Sequence, residues 1–538
     1  MNAVRVVHVA EMRAIEQEAD ARGITYALMM HRAGEGVARI VQRRYHDVTP
    51  KVVVGLVGSG NNGGDTLVAL THLARWGWQA RAYLVRPRPQ DDSLLRELVA
   101  AGGEVMNLGD DPARDGLHSW LIEARVLLDG IFGTGVKLPL RGEVGEFLSE
   151  VAHFHPLPHV VAVDCPSGVD CDTGEVAEGT IPAELTICME AVKIGLLRFP
   201  AFDYVGELEV VSLGLPSDLK AYDGLNLYMA EANYCRNHLP PRPRQAHKGT
   251  FGTALIIAGS VNYTGAVWLA AKAAYRIGTG LVRVALPGSL HAALAGHLPE
   301  ATWVLLPSEL GVIDRDAASV VLESLERVTA ILIGPGLGIE ETTAEFIARL
   351  LGKGEESLKR HPLGFVVREE SVNPERPSLP PCVVDADGLR HLARIPEWWH
   401  ALPAQSVLTP HPGEMSVLTK LPVTEIQANR LEVAQRFAVE WGHIVVLKGA
   451  LTVVAAPDGR VFIIPVASAA LARAGSGDVL AGLVVGLLAQ RVAPLESAVL
   501  AAWIHAQAGL LAAQTLGHEA CVLAGDILEQ VPEVLRRL

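Results

Sequence analysis

One recurring unit constrains this chain more than anything else. A short aliphatic run ends in a Gly- or Asp-rich turn, and apolar residues at helical spacing follow. Lys51–Val57 runs into Gly58-Ser59-Gly60, and Thr66–Trp76 then has helical spacing. Ala80–Val85, Ala124–Asp129 and His159–Asp164 repeat the strand part, each feeding into Gly, Pro or Asp. Strands alternating with helices pair in parallel, because each crossover needs room for a helix. The expected fold is therefore α/β, a doubly wound parallel sheet with helices on both faces. Ligands of such sheets gather beyond the carboxyl ends of the strands.

Leu239–Lys248 interrupts this pattern with three prolines in ten residues and no apolar period, the mark of a linker or domain entry. A second alternation follows. Strands are expected at Thr253–Ala258, Gly280–Ala285, Ala330–Ile333, Cys382–Asp385, His443–Leu447 and Leu451–Ala456, and helices at Ala266–Ile277, Asp478–Gln490 and Ser497–Leu516. The chain thus divides into a domain over 1–215, a linker and domain entry over 216–246, and a second α/β domain over 247–538. No tandem repeat is visible. The polar, charged stretch over 352–381 reads as a surface insertion.

Composition narrows the function classes. With 49% hydrophobic residues among 538 there is ample core, and only 5% aromatics favours buried aliphatic strands. Lys+Arg number 46 against 60 Asp+Glu, a net charge of −14, which disfavours nucleic acid as a partner. The cysteines, Cys165, Cys171, Cys188, Cys235, Cys382 and Cys521, form no C-x-x-C pair. Reduced thiols in the cytoplasm are the expectation. No apolar leader opens the chain, and the apolar stretch 499–516 is broken by His505, Gln507 and Gln514, so no membrane span is expected. The apolar helix at 497–516 would also permit packing into a homo-oligomer.

Three strand ends in the first domain carry chemistry. Gly58-Ser59-Gly60-Asn61-Asn62-Gly63 satisfies G-x-G-x-x-G between a strand and a helix, a dinucleotide pattern. The acidic residue expected after the second strand is replaced by Arg86-Pro87-Arg88, which would suit a 2′-phosphate, so an NADP oxidoreductase is one reading. Asn61, Asn62 and Asp65 add oxygen donors suited to a hard cation or a polar ligand. Asp129-Gly130-Ile131-Phe132-Gly133-Thr134-Gly135 and Val163-Asp164-Cys165-Pro166-Ser167-Gly168-Val169-Asp170 follow further strands. Any one cluster could be caps and turns; three on one rim point to a site.

Together these motifs resemble the NAD(P)H-hydrate epimerase domain over about residues 10–215. The resemblance implies a Rossmann-like three-layer sandwich that interconverts the R and S forms of hydrated NADH or NADPH. It implies substrate contacts at Asn61, Asn62, Gly63, Gly64, Asp65, Gly133, Thr134, Gly135 and Asp164, with Asp164 transferring protons. It also implies a potassium ion at Asn62, Asp129 and Ser167. The chain departs from the family at Thr66, usually Gly, and at Met30-His31-Arg32-Ala33-Gly34, usually M-E-N-A-G. Those departures keep open a non-catalytic binding role for this domain.

The sharpest element of the second domain is Gly475-Ser476-Gly477-Asp478, opening an apolar helix. Small residues let backbone approach a phosphate, and successive N–H groups with the helix dipole stabilise negative charge. Asp478 could be a helix cap or a base towards a hydroxyl. Lys448-Gly449-Ala450-Leu451-Thr452 offers a cation and a tight turn. With His247–Gly252, Gly259–Ala266, Gly334–Gly338, Asp385–Leu389 and Thr409–Glu414, the set resembles a branch of the ribokinase-like fold, the ADP-dependent (S)-NAD(P)H-hydrate dehydratases, over about 240–538. The resemblance implies hydrate contacts at Ala266, Gly336, Gly338, His411 and Asp478, and nucleotide contacts at Lys448, Gly449, Ala450, Leu451, Thr452 and Gly477. It further implies Asp478 as the base that deprotonates the C6 hydroxyl. The β-phosphoryl of ADP would transfer to that oxygen with magnesium present, and phosphate would leave, with ATP as the alternative co-substrate. The expected partners are NADHX, NADPHX and the nucleotide. The rival reading is a ribokinase-like small-molecule kinase with a non-catalytic first domain.

Overall fold

The computed structural model describes residues 3–89, 91–140, 142–353 and 379–538. The stretch expected as a surface insertion falls for the most part (354–378) outside the described residues. The chain forms two compact units, Val4–Leu227 and Tyr228–Leu538.

In the first unit seven strands form a wholly parallel sheet: β1 (Val52–Val57), β2 (Gln79–Leu84), β3 (Glu104–Asn107), β4 (Val126–Gly130), β5 (His159–Val163), β6 (Leu185–Met189) and β7 (Glu207–Val211). Their order is β3-β2-β1-β4-β5-β6-β7. Alternate residues of β1 enter different cores, as strand geometry requires. Val53 and Val57 pack with Leu67 and Val37, whereas Val52, Val54 and Leu56 pack with Leu117 and Phe147. Helices Tyr26–Arg44 and Asn61–Arg75 therefore cover one face and Asp115–Glu123 and Glu143–Ala152 the other. The order in which strands are added reverses between β1 and β4, which makes their carboxyl ends the topological switch point.

In the second unit nine strands follow the order β10-β9-β8-β11-β12-β13-β14-β15-β16, with β8 (Thr253–Ile257), β9 (Leu281–Pro287), β10 (Thr302–Leu306), β11 (Ala330–Ile333), β12 (Cys382–Val384), β13 (Val407–Leu408), β14 (Ile444–Leu447), β15 (Val453–Ala455) and β16 (Val461–Ile463). Pairing is parallel through β14 and antiparallel at β14–β15 and β15–β16. The sheet is mixed, which the β/α alternation did not disclose. Its switch point lies between β8 and β11.

Three expectations need correction. The linker expected over 216–246 contains the strand Leu227–Met229 and the helix Ala232–His238, held because Tyr234 and Cys235 are buried against Phe462 and its neighbours. Apart from the 3-10 turn Lys220–Tyr222, its beginning and its proline-rich end are irregular. The helix expected from Thr66 starts at Asn61, inside the glycine motif. The strand expected from Leu451 starts at Val453, because Leu451 takes a left-handed turn conformation (φ 53°).

One helix, Pro494–Leu516, is long and apolar enough to span a membrane by composition. Its side chains are mostly buried in the core of its own unit, which accounts for that apolarity without a partner subunit. All six thiols are free.

Candidate functional site

Each unit holds a cavity at the ends of its strands, the first at the switch point and the second beside the loops that follow β13 and β14. In the first, the turn after β1 is drawn tightly against its neighbours. A Cβ on Gly63 would lie 2.1 Å from the Gly58 carbonyl, and one on Gly58 would lie 2.0 Å from that of Ile131. Only glycine fits such a close approach. Thr66, the departure from the family pattern, is buried beside Gly130 and donates to the Asn62 carbonyl at 2.9 Å. Arg32 donates to the Leu213 carbonyl at 2.7 Å, and His31 is exposed.

A cavity of about 770 Å³ is found in the second unit and one of about 750 Å³ in the first. The first-unit cavity brings together Asn61, Asn62, Asp65, Gly133, Thr134, Gly135 and Asp164, all expected site residues. Gly63 and Gly64 lie behind its wall, against Gly58 and Met30. Asp164 adopts φ 67° and accepts from the Met189 N–H at 3.0 Å and from the buried ammonium of Lys193. Burial works against the Lys193 charge, but the Asp164 carboxylate more than offsets it and holds the pKa above its ordinary value. Asp65 accepts no hydrogen bond among the described residues. Burial first, then the charges of Asp164 and Glu16, lift its pKa well above the carboxylate range. Glu16 is lifted too, mainly by burial. Two carboxyl groups of this cavity, Asp65 and Glu16, thus hold their protons more tightly than a free carboxyl does, which suits them to proton transfer.

Beneath the loop at Phe132 lies a cluster of oxygen atoms. Fully buried Asp129 accepts from the Ser167 N–H at 2.7 Å and from its hydroxyl at 2.5 Å. The Phe132 N–H donates to Ser167 Oγ at 2.9 Å. Asn62 Nδ2 donates to the Phe132 carbonyl at 2.8 Å, which leaves its Oδ1 buried without a partner. A buried carboxylate and an orphaned amide oxygen together suit a hard monovalent cation. Of the two arginines that sequence reading offered to a 2′-phosphate, Arg86 lines the first-unit cavity, whereas Arg88 pairs with Asp92 at 2.7 Å and donates to the Gly58 carbonyl at 2.8 Å.

In the second unit His411, Lys448, Gly449, Ala450, Thr452 and Gly477 line one cavity together with Ser476 and His505. Leu451 turns away and is buried. Ala266, Gly336 and Gly338 form a separate group at the ends of β8 and β11. A Cβ on Gly336 would lie 3.1 Å from that of Ala266, and the Gly338 N–H donates to Asp387 at 3.0 Å. His411, expected with the hydrate contacts, lines the same cavity as the candidate nucleotide residues.

Asp478 feels the charges of Lys448 and its partners Asp385 and Glu414, and of Asp387, which accepts from the Gly338 N–H. It occupies the third position of the helix Ser476–Ala489, whose cap is Gly475, and it makes no side-chain capping bond. Its carboxylate accepts no hydrogen bond among the described residues. Burial, then the charges of Asp385, Asp387 and Glu414 set against Lys448, push its pKa up to about 7. A carboxylate poised there is suited to proton transfer near neutral pH. The Lys448 ammonium lies 2.7 Å from Asp385 and 3.6 Å from Glu414, so its charge is already taken up within the protein. His505 Nε2 lies 3.0 Å from Ser476 Oγ, and burial brings its pKa down to about 4, which keeps the ring neutral.

Sequence reading missed Lys193, Glu16, His505 and the pairing of Asp385 and Glu414 with Lys448. Lys193 sits in the apolar run Val192–Leu197 and gave no pattern signal. Asp385 and Glu414 lay within motifs noted above, but their partner is far off in the chain.

Comparison with known proteins agrees with this layout. Residues 254–533 match the family described as NAD(P)H-hydrate dehydratase, and residues 27–195 match the YjeF-related protein N-terminus. The chain is 35% identical to the bifunctional NAD(P)H-hydrate repair enzyme Nnr of Moorella thermoacetica, over 99% of this chain and 97% of that protein. It is 32% identical to the enzyme of the same name from Escherichia coli, over 99% and 95%. The crystal structure of an ADP/ATP-dependent NAD(P)H-hydrate dehydratase from Bacillus subtilis, co-crystallised with ATP and Mg2+, is 29% identical, with a TM-score of 0.46, over 58% of this chain and 99% of that one. Full-length likeness of this kind does not favour a kinase or an oxidoreductase. This chain belongs to the family of bifunctional NAD(P)H-hydrate repair enzymes, one unit an epimerase domain and the other a dehydratase domain.

Proposed function

We propose that the first unit interconverts R and S hydrates of NADH and NADPH and that the second unit dehydrates the S hydrate at the expense of ADP. The observation that carries this reading is the Asp478 carboxylate: free of hydrogen bonds among the described residues, lifted to about 7, and next in sequence to a glycine of the cavity wall. Asp478 takes the proton of the C6 hydroxyl, and that oxygen attacks the β-phosphorus of ADP in line. AMP leaves with the electron pair of the broken P–O bond. The C6–O bond of the phosphorylated hydrate then breaks, with loss of a proton from the ring, to give phosphate and the dihydropyridine. The N–H groups at the start of helix Ser476–Ala489 stabilise the charge on the transferring group.

In the first unit Asp164 contacts the substrate and moves protons while the hydroxyl leaves C6 and returns to either face. Lys193 holds Asp164 in place. Potassium fits the oxygen cluster: Asn62, Asp129 and Ser167 would hold it. Its charge would offset the buried Asp129 carboxylate and steady the Phe132 loop. Among the described residues no three His, Cys, Asp or Glu side chains gather to hold a metal ion. Magnesium would therefore enter with the nucleotide phosphates rather than occupy a cage of its own. The setting we infer is cytoplasmic.

Purified R and S hydrates, each with and without ADP or ATP, test this reading. Conversion of R to S without nucleotide, and recovery of dihydronicotinamide absorbance from S only with nucleotide, are the expected results. Failure of S hydrate to recover with either nucleotide would refute it.

A further inference from the structure

Two cations stand at the loop over residues 447–452, and the one that sequence singles out has no charge to spare. Lys448 faces two carboxylates, Asp385 and Glu414. Arg430, at the start of the helix Arg430–Trp441, pairs with no carboxylate among the described residues. Its Nη2 donates to the Leu447 carbonyl at 2.9 Å and to the Lys448 carbonyl at 3.3 Å, and its Nη1 donates to Gln427 Oε1 at 3.0 Å. Its Nε is buried with no acceptor. Loss of hydration pushes its pKa down to about 10, as expected of a cation that folding leaves short of negative charge.

The consequence falls on one peptide unit. A trans peptide points its N–H and its C=O in opposite directions. Arg430 holds the carbonyl of Lys448, so the N–H of Gly449 turns away from Arg430. Neither that N–H nor the one of Ala450 finds an acceptor among the described residues, and both residues line the 770 Å³ cavity. Gly449 has φ 144°, and a Cβ there would lie 3.0 Å from both Nη atoms, so the guanidinium packs directly against this glycine. An uncompensated cation behind a loop with free amides is a setting that favours an anion.

We propose that Arg430 is a positioning residue for the nucleotide: it fixes the Lys448–Gly449 peptide with its N–H free for a phosphate oxygen, and it supplies the positive charge that a nucleoside diphosphate balances. This rests on the reading of the second unit as a nucleotide-driven dehydratase. The test is ADP binding to the full-length protein by calorimetry, alongside KM for ADP and for S hydrate. Arg430→Met keeps the aliphatic stem and removes donors and charge. Its Kd and KM for ADP rise about tenfold or more, the scale of a lost charge-assisted hydrogen bond. KM for the hydrate and the R-to-S conversion stay at wild-type values, and Arg430→Lys recovers only part of the ADP affinity. A merely structural role would lower the melting temperature with both KM values unmoved, or moved together. Either pattern, or wild-type ADP affinity in Arg430→Met, overturns the proposal. Should Arg430→Met fail to fold, Arg430→Lys decides, and wild-type ADP affinity in that variant overturns it. A wild-type protein that binds no ADP removes the dehydratase reading itself, and the proposal with it, which is a separate failure.

Discussion

Asp478→Asn separates catalysis from stability, because one physical cause acts on both in opposite senses. The native Asp478 carboxyl titrates near 7 against an ordinary 3.8. Below about pH 4 it is protonated in the folded and the unfolded chain, and it contributes no difference. Between about 4 and 7 the unfolded chain ionises while the folded chain keeps its proton, so stability falls as pH rises. Above 7 the penalty is complete. At about 1.4 kcal/mol for each factor of ten in proton affinity, the full gap is worth roughly 4 kcal/mol. The expected difference in denaturant melts is about 2–4 kcal/mol. An amide does not titrate here. Asp478→Asn should therefore match wild type in denaturant melts near pH 4, then gain on it up to pH 7 and hold that lead to pH 8.5, while losing nearly all dehydration. A stability difference that stays flat from pH 4 to 8.5 would refute the reasoning, since it would mean the carboxyl does not titrate near 7.

Lys448→Met leaves Asp385 and Glu414 buried without their cation; a loss of about 3–5 kcal/mol in denaturant unfolding is expected, far more than for a surface lysine. Asn62→Ala removes the orphaned oxygen at the proposed potassium site; wild type should melt higher in potassium than in sodium salts, and that gain should vanish in the variant. Gly336→Ala places a Cβ 2.7 Å from that of Tyr263 at φ 64°; it should cost about 1–2 kcal/mol of stability and raise KM for the hydrate while leaving ADP affinity unchanged.

The parts of the fold that were legible in sequence are those set by local rules. Buried parallel strands show as aliphatic runs, and the switch-point loops show as Gly and Asp clusters, so β1, β4, β5, β8 and β11 were placed within two residues or so. The helix from Asn61 was begun late because intrinsic propensity penalises Asn and Gly; the close approach of Gly63 to Gly58 overrides that penalty. The antiparallel β15 and β16 carry no signal that tells them from parallel strands. Within the sites, the motifs gave the residues but not their electrostatics. Nothing local says that Lys448 is neutralised by acids 63 and 34 positions away, that Lys193 is buried beneath Asp164, or that Arg430 has no acid of its own among the described residues. Those facts depend on which strand ends meet, and only the sheet order supplies that.

Dehydration of the S hydrate with saturating ADP, followed as kcat/KM from pH 5.5 to 8.5, bears most directly on Asp478 as the base. The rate should fall about tenfold for each pH unit below about 7 and level off above it, with Asp478→Asn low and flat throughout. A wild-type profile without that limb, or Asp478→Asn turning over at the wild-type rate, would contradict the account.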